Sequence, residues 1–427
     1  MSLWYRLFPL VERQGLFLCQ SAKVGLSAVG ALLPASSASR KDVSSILALG
    51  NIQCYNDFNS CIPNTGLCGM KPAATPFPDV RPLVDSLIAR ALDRRASDIY
   101  VEPVADGFQI RFRIDGLLET MEQLSAETGE SVVNRLMVMG HLLTYRRDIP
   151  QEGRMTIDSP RRLDVRLSVI PTLHGLRAVV RMPAELFAPH QLSDLFLPRD
   201  TLDFLMEFCR GDCGLLAVIG PAGAGKTTTI YALLDHLART QGGISIVSLE
   251  DPIERGIPGI TQIEVSPFGE LDYQRALRSM LRQDPQVLSI GEIRDNTTAS
   301  LAVQAALTGH RLVCTMHAGS PAGAISRLLE MGIQRYQITS SLFGILNQRL
   351  VRRKSDSGYS GRLPITQVVR MDQSLRPGAP GLDQSDTMAF EEAMRKSPAY
   401  RTLHDAAREL IARGITDQAE VDRVLGQ

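Results

Sequence analysis

A glycine-rich loop that ends in lysine and threonine constrains this chain more than any other feature of its sequence. The string GPAGAGKTT spans residues 220–228, directly after the apolar run 215–219 and directly before a helical pattern at 230–237. A Gly-x4-Gly-Lys-Thr loop between a buried strand and a helix turns its backbone N–H groups towards phosphates, and the helix N-terminus adds partial positive charge. The setting predicts a nucleotide phosphate site and disfavours an incidental glycine-rich turn.

The residue types of this loop predict their roles. We expect Lys226 to reach the β- and γ-phosphates of ATP and Thr227 to hold Mg²⁺. The predicted nucleotide-binding set is Gly220, Pro221, Ala222, Gly223, Ala224, Gly225, Lys226, Thr227 and Thr228.

Composition excludes several classes of protein. The chain has 427 residues, enough for two or three domains, and its formal net charge of zero gives no sign of a nucleic-acid partner. Two basic runs, at 161–166 and 349–354, are more typical of solvated faces than of binding patches. Seven cysteines are an odd number in a long chain, which favours a reducing compartment over a disulfide framework.

The N-terminal region allows more than one interpretation. Cys54, Cys61 and Cys68 lack the paired spacing of a zinc site, so we expect no zinc, with a metal or redox role as the weaker alternative. The apolar run 24–33 and the small residues 35–39 imitate a signal peptide. Export would separate a nucleotide site from its ATP, and the run is too short to span a bilayer. A docking element for peripheral membrane association fits better.

The order of patterns along the chain predicts five segments. We expect a weakly structured or membrane-docking region at 1–75, a small α+β domain at 76–183, a linker at 184–200, a nucleotide-binding core at 201–370 and a helical region at 371–427, with a turn at Gly414. The α+β interpretation rests on a helical face at Leu83, Leu87 and Ala91 followed by alternating strands around the turn at Asp106.

Short apolar runs alternate with helical patterns in the core. The runs at 215–219, 244–249, 287–290 and 311–315 are each followed by polar motif residues. This alternation predicts a parallel sheet with helices on both faces. Ligands of such sheets bind at the carboxyl ends of the strands, so we expect the polar motifs to form one site there.

Five further strings accompany the glycine-rich loop. They are SDIYVEP from Ser97, SLEDPIE from Ser248, RQDPQVLSIGEIRD from Arg282, ALTGH from Ala306 and CTMHAG from Cys314. In this order they resemble the ATPases of type II secretion and type IV pilus assembly, the GspE, PulE and PilB family, over about residues 80–370 and in the closing TDQAEVDRVLG. The resemblance implies an α/β fold: a P-loop (RecA-like) ATPase core with a parallel sheet, preceded by a small α+β (PAS-like) domain.

The resemblance also implies activity and partners. It implies a Mg²⁺-dependent ATP hydrolase that forms a homohexamer and contacts an inner-membrane platform protein from the cytoplasmic side, as a peripheral protein without a nucleic-acid partner. A pilus retraction ATPase and a DNA-translocating or conjugative motor are the alternatives. SDIYVEP and GYSGR favour the assembly branch over retraction, and the absence of net basicity disfavours the DNA motor.

Acidic residues supply the candidates for hydrolysis. Glu292 and Asp295 follow the apolar run VLSI, where a carboxylate can hold Mg²⁺ through water or orient the attacking water. Glu250, with Asp251 and Glu254, ends the preceding predicted strand. We expect Glu292 to activate water, with Glu250 supporting it or exchanging roles with it.

Histidines and arginines complete the predicted site. His317 resembles the family histidine that senses the γ-phosphate, while His310 has equal claims to a structural role. The planar guanidinium group of arginine can neutralise the charge that develops on a phosphate group during its transfer. Arg154 and Arg166 are the leading candidates, and solubility is the expected role of the other arginines of the small domain: Arg111, Arg113 and Arg181.

Three departures from the family pattern mark this chain. Tyr100 replaces the histidine of SDIHIEP, and His317 is followed by Ala318 and Gly319 instead of Thr-Asn. After the helix predicted over QRLVRR, the sequence KSDSGYSGR stands where many members carry a tetracysteine zinc module. We also expect the large N-terminal domain of many members to be absent or reduced to residues 1–75. A retraction motor also lacks the zinc module, so that alternative stays open.

Overall fold

The structure is a computed structural model. It describes residues 79–158, 162–183, 186, 188–265, 271–356, 358–371, 375, 387–396 and 400–426. The predictions for residues 1–75, including those for Cys54, Cys61 and Cys68, lie outside these ranges.

The first part of the described chain forms an antiparallel sheet with the order β3-β2-β1-β6-β5-β4. We call it the six-stranded module. Its elements are α1 (Arg81–Asp93), β1 (Asp98–Val104), β2 (Gly107–Ile114), β3 (Leu117–Leu124), α2 (Ala126–Met139), β4 (Gln151–Ile157), β5 (Leu163–Thr172) and β6 (Gly175–Arg181).

Alternation along the strands gives this sheet one apolar and one polar face. On β2, Phe108, Ile110 and Phe112 are buried in a core that includes residues of α1 and α2. The residues between them point to the other face and include Arg111 and Arg113. The two helices thus cover one face of the sheet and leave the arginine-bearing face to the rest of the molecule, which confirms the predicted small α+β fold.

The second part forms a seven-stranded sheet with the order β13-β12-β7-β11-β10-β8-β9. We call it the seven-stranded module. A 3-10 helix (Leu192–Leu195) precedes it, and its first elements are α3 (Arg199–Arg210), β7 (Gly214–Ile219), α4 (Lys226–Thr240), β8 (Ile246–Glu250), β9 (Thr261–Glu264) and α5 (Tyr273–Met280). The remaining elements are β10 (Val287–Ile290), α6 (Asn296–Leu307), β11 (Arg311–Met316), α7 (Pro321–Glu330), α8 (Arg335–Ser341), β12 (Leu342–Ser355), β13 (Gly358–Arg370), α9 (Thr387–Arg395), α10 (Leu403–Ala412) and α11 (Gln418–Leu425).

This sheet is parallel except for its edge strand β13, which pairs antiparallel with β12. The side chains of β7 alternate between two cores: Leu215 belongs to the core that contains α6 residues, and Leu216 belongs to the core that contains α4 residues. Helices therefore cover both faces, and the predicted parallel sheet is confirmed.

Two local predictions differ from the structure. The helix predicted over QRLVRR is wrong, because residues 348–353 lie in β12. The backbone of β12 pairs with β7 on one side and β13 on the other, and this pairing outweighs the helical propensity of arginine and leucine. The predicted linker at 184–200 contains the 3-10 helix and the first two residues of α3.

Candidate active site

Four of the predicted motifs lie at the carboxyl ends of the parallel strands in the seven-stranded sheet. The glycine-rich loop follows β7, His317 follows β11, Glu292 follows β10, and Glu250 is the last residue of β8. These four strands are consecutive neighbours and run parallel, so their carboxyl ends lie side by side. The four motifs therefore lie together at the carboxyl ends of these strands.

The glycine-rich loop wraps around the head of Lys226, the first residue of α4. Lys226 Nζ donates hydrogen bonds to the carbonyl oxygens of Gly220 at 2.8 Å and Pro221 at 2.9 Å. Burial lowers the pKa of Lys226, although the charge of Glu292 opposes this effect. Thr227, next along the helix, is exposed, so its hydroxyl is accessible to a ligand.

Strand β12 supports this loop through Gln348, which the sequence analysis missed. Its Nε2 donates to the carbonyl oxygen of Ala224 at 2.8 Å, and its Oε1 accepts from Thr229 Oγ1 at 2.9 Å. A Cβ on Gly220 would lie 2.5 Å from the backbone oxygen of Gln348, and a Cβ on Gly225 would lie 2.8 Å from its Nε2. Both glycines also have positive φ, so only glycine fits there.

Arg349 joins the same strand to the loop after His317. Its Nη1 donates to Asn347 Oδ1 at 2.9 Å, and its Nη2 donates to the carbonyl oxygen of Gly319 at 3.0 Å. Burial lowers the pKa of this guanidinium. The sequence signal for Gln348 and Arg349 was the string QRLVRR, which alone does not show that β12 neighbours the loop.

Glu292 lies between two basic groups. It accepts a hydrogen bond from Arg294 Nε at 2.6 Å, and His317 Nε2 lies 3.3 Å from its other oxygen. The contact with Glu292 raises the pKa of Arg294. Asp295, by contrast, caps α6 by accepting from the backbone nitrogen and hydroxyl of Thr298, so it serves the helix.

Glu250 is more enclosed than Glu292. It is 5% exposed and accepts from Ser248 Oγ at 2.6 Å, from Gln262 Nε2 at 3.0 Å and from the hydroxyl of Tyr231. Burial and the contact with Glu250 raise the pKa of Tyr231. Three donors fix this carboxylate in one orientation.

His310 lies at the amino ends of the parallel strands, away from the other motifs. It precedes β11, and its carbonyl oxygen accepts from the backbone nitrogen of Gly214 at the start of β7. Its Nδ1 lies 3.0 Å from the carbonyl oxygen of Ala305. Of the two histidines that flank β11, the structure therefore brings only His317 to the acidic residues.

A row of charged side chains crosses the polar face of the six-stranded sheet. Neighbouring strands place its members directly opposite one another, and directly opposed residues point to the same face. The row, from β4 to β2, is Arg154, Arg166, Arg181, Asp98 and Arg113. Asp98 Oδ1 accepts from Arg181 Nε at 2.9 Å, and its Oδ2 lies 3.6 Å from Arg113 Nε.

The arginine row faces the glycine-rich loop across a cavity of about 950 Å³, which we call the cleft. Arg166 Nη2 lies 4.0 Å from Glu254 on the opposite wall. Arg113 and Arg181, for which a solubility role was expected, line the cleft together with Arg154 and Arg166. The cleft walls contributed by the two modules include Arg113, Arg154, Arg166, Arg181, Arg349, Arg362, Lys226 and Thr227.

Arg111 differs from these arginines. It lies on the same face of β2 but pairs with Glu102, which also binds Arg177 at 2.7 Å. Arg111 does not line the cleft. The register between strands distinguishes the arginines of the cleft from Arg111, which has a structural role. The spacing of residues along the sequence does not show this register.

Comparison with known proteins identifies the family. The model of the Type II/IV secretion system protein family matches residues 75–423. The chain belongs to this family. The resemblance inferred from five short strings is therefore confirmed.

Individual family members extend the match over most of the chain. It is 34% identical over 398 residues to the type II secretion system protein E of Xanthomonas campestris pv. campestris, covering 83% of this chain and 69% of that protein. It is also 34% identical over 382 residues to the type II secretion system ATPase E of Vibrio cholerae serotype O1, covering 80% and 74%. The crystal structure of the ATPase DotB from Legionella pneumophila has a TM-score of 0.66 at 20% identity, covers 80% of this chain and 95% of its own, and shares the fold.

The donor atoms of the cleft suit a magnesium nucleotide. Mg²⁺ prefers oxygen ligands and usually takes only one or two from the protein beside phosphate oxygens and water. Thr227 of α4 offers a hydroxyl, and Glu292 after β10 offers a carboxylate. Among the described residues, no group of three or more His, Cys, Asp or Glu side chains could hold a metal ion by itself.

Within the same residues, no helix has the length and apolar character needed to cross a membrane.

Proposed function

We propose that this protein is a Mg²⁺-dependent ATP hydrolase that powers assembly of a type II secretion pseudopilus or a type IV pilus. One observation carries the proposal: the glycine-rich loop with Lys226 faces a row of four arginines across a single cleft. A polyanion between the two walls would meet positive charge from both sides, as a triphosphate in transfer requires.

Residues of the cleft carry out hydrolysis together with Glu292 and His317, which follow β10 and β11. The N–H groups of the loop and Lys226 bind the β- and γ-phosphates. Lys226 gives up its hydrogen bonds to the carbonyl oxygens of Gly220 and Pro221 when it binds them. Glu292 orients the attacking water, and His317 holds Glu292 in place. Thr227, and Glu292 directly or through water, would hold Mg²⁺, which would supply charge neutralisation.

The arginine row couples hydrolysis to movement. Arg154 and Arg166 neutralise the charge that grows on the γ-phosphate, and loss of that phosphate weakens the hold of one module on the other. Within one chain the row already faces the loop of the same chain, which favours action in cis. The six- and seven-stranded modules then act as the moving parts.

The family membership supports the remaining features of the proposal. The protein forms a homohexamer, works in the cytoplasm at the inner membrane as a peripheral protein, and transmits its movement to a membrane platform protein. In a ring of subunits bound to a platform protein, the opening and closing of each cleft can move the platform protein in one direction.

ATP turnover by the purified full chain tests the proposal. We expect Lys226→Ala to abolish Mg²⁺-dependent phosphate release, because backbone N–H groups cannot replace the lysine charge. Lys396→Ala is the matched control, since Lys396 lies on the surface after α9 and its side chain is 74% exposed. Near-normal turnover by Lys226→Ala, or wild-type turnover that persists with excess EDTA, would refute the proposed site.

A further inference from the structure

Tyr100 is a buried residue of the cleft that the proposed mechanism leaves unused. It lies two residues from Asp98 on β1, so its side chain is on the same face of the sheet as the arginine row. It is 7% exposed and lines the cleft. Tyr100 also stands where the family strings carry a histidine.

The phenol of Tyr100 is bound to one member of the row. Its hydroxyl oxygen accepts from Arg113 Nε at 3.1 Å and from Arg113 Nη2 at 2.9 Å. Arg113 Nη1 donates to the carbonyl oxygen of Gly116 at 3.1 Å. All three nitrogens of this guanidinium are therefore directed by fixed acceptors.

The ring of Tyr100 adds contacts with two arginines. The guanidinium carbon of Arg113 lies 5.3 Å from the ring centroid, and that of Arg177 lies 5.2 Å from it. Arg177 is held outside the cleft by Glu102 at 2.7 Å. Tyr100 thus packs against one arginine outside the cleft and orients another towards it.

The acceptor that holds Arg113 is neutral, and this matters for the charge of the cleft. Asp98 is the one carboxylate of the row; its Oδ1 accepts from Arg181 Nε at 2.9 Å, and its Oδ2 lies 3.6 Å from Arg113 Nε, beyond hydrogen-bond distance. A second carboxylate at position 100 would cancel the charge of Arg113. A phenol fixes the guanidinium through two hydrogen bonds and leaves its positive charge available to an anion.

We propose that Tyr100 is a positioning residue that holds the Arg113 guanidinium in the cleft, where Arg113 neutralises phosphate charge of the bound nucleotide. The proposal rests on the proposed ATPase function. It adds Arg113 to the arginines that act on the substrate and gives a role to the residue that departs from the family pattern.

Tyr100→Phe removes the hydroxyl acceptor and keeps the ring. We expect kcat/KM for ATP to fall about 5- to 10-fold, because the lost hydrogen bonds involve a charged donor. Arg113→Gln should lower it at least as much, and adding Tyr100→Phe to Arg113→Gln should have no more than about a twofold further effect. Tyr145→Phe, at a side chain 77% exposed, is the control for loss of a phenol.

The combined variant separates positioning from structural support. Unchanged kcat/KM in Tyr100→Phe, or losses that multiply when the two substitutions are combined, would overturn the proposal. A large fall in the thermal unfolding midpoint of Tyr100→Phe with normal kcat/KM would also overturn it, because Tyr100 would then serve stability alone. Absence of ATP turnover in the wild-type chain would instead defeat the proposed function, so the two failures are distinguishable.

Discussion

At the scale of single residues, two carboxylates at the same sheet edge occupy different surroundings. Glu250 has three hydrogen-bond donors and is nearly enclosed, whereas Glu292 contacts the side chains of Arg294 and His317. Movement of His317 or Arg294 can release an oxygen of Glu292 towards water. Glu250 would have to break contacts with its own strand and with α4 to do the same. The geometry favours Glu292 as the water-orienting group.

Glu292→Gln should separate nucleotide binding from turnover. We expect ATP to bind with little change while hydrolysis falls by about two orders of magnitude or more, since the amide cannot accept a proton from water. Fluorescent-nucleotide titration and single-turnover phosphate release measure the two steps. If binding and turnover fall together, Glu292 is mainly a metal ligand, and Glu250→Gln becomes the variant to test for loss of the base.

The residues that could be predicted from sequence are those with a local signature. Lys226, Thr227, Glu292 and Glu250 follow apolar strands within short strings, so their position at the sheet edge follows from the fold class. Gln348 and Arg113 have no such signature. Their roles depend on which strands are neighbours and on the register between strands, and these arise from long-range pairing.

At the scale of elements, helix α11 is fastened to strand β12 through a buried carboxylate. Glu420 has no exposed side-chain surface and accepts from Arg352 Nη2 at 2.7 Å and Arg423 Nη2 at 2.5 Å. Glu420 also accepts from Arg352 Nε at 2.9 Å, from Arg423 Nε at 2.8 Å and from the backbone nitrogen of Arg352 at 2.9 Å. Burial alone would raise the pKa of Glu420, but the hydrogen bonds from Arg423 and Arg352 outweigh it and lower the pKa to about 2.

Glu420→Gln should destabilise the chain and change how its stability depends on pH. We expect a loss of about 2–4 kcal/mol in unfolding free energy near neutral pH, because two guanidinium groups lose their buried partner. The folded pKa lies below the unfolded value of 4.5, so the contribution is complete above about pH 5 and is lost as pH falls towards 2.

Urea unfolding at several pH values measures this effect. The difference between wild type and Glu420→Gln should shrink as pH falls below about 4.5. Glu409→Gln on α10 is the control, because that side chain is 51% exposed and its ion pair with Arg401 should contribute little. A constant difference across pH would show that the loss comes from packing and not from the charge of Glu420.

The strands that could be predicted from the sequence are those that are fully buried. Strands β7, β10 and β11 are wholly buried, and their continuous apolar runs were recognisable in the sequence. Strand β12 is buried at one end only, and its last residues, rich in arginine, resemble an exposed helix. Its strand conformation depends on β7 and β13, which a window of local sequence does not contain.

At the scale of the whole molecule, two sets of contacts join the two modules within the described residues. The arginine row approaches the seven-stranded module at Glu254, across the cleft. The turn after β2 approaches it at the GYSGR hairpin, where the backbone nitrogen of Gly361 donates to Asp115 Oδ2 at 2.7 Å. The GYSGR hairpin therefore touches the six-stranded module directly. A nucleotide in the cleft would add a third connection between the modules.

The ATPase rate of Arg166→Ala tests this arrangement most directly, with Arg162→Ala as the control because Arg162 is an exposed arginine at the start of the same segment. We predict that Arg166→Ala lowers kcat about 10- to 1000-fold with the fold intact, because its guanidinium stabilises charge that develops mainly in the transition state. Arg162→Ala should match the wild type. Wild-type kcat in Arg166→Ala, under conditions in which Lys226→Ala is inactive, would contradict a role for the six-stranded module in hydrolysis.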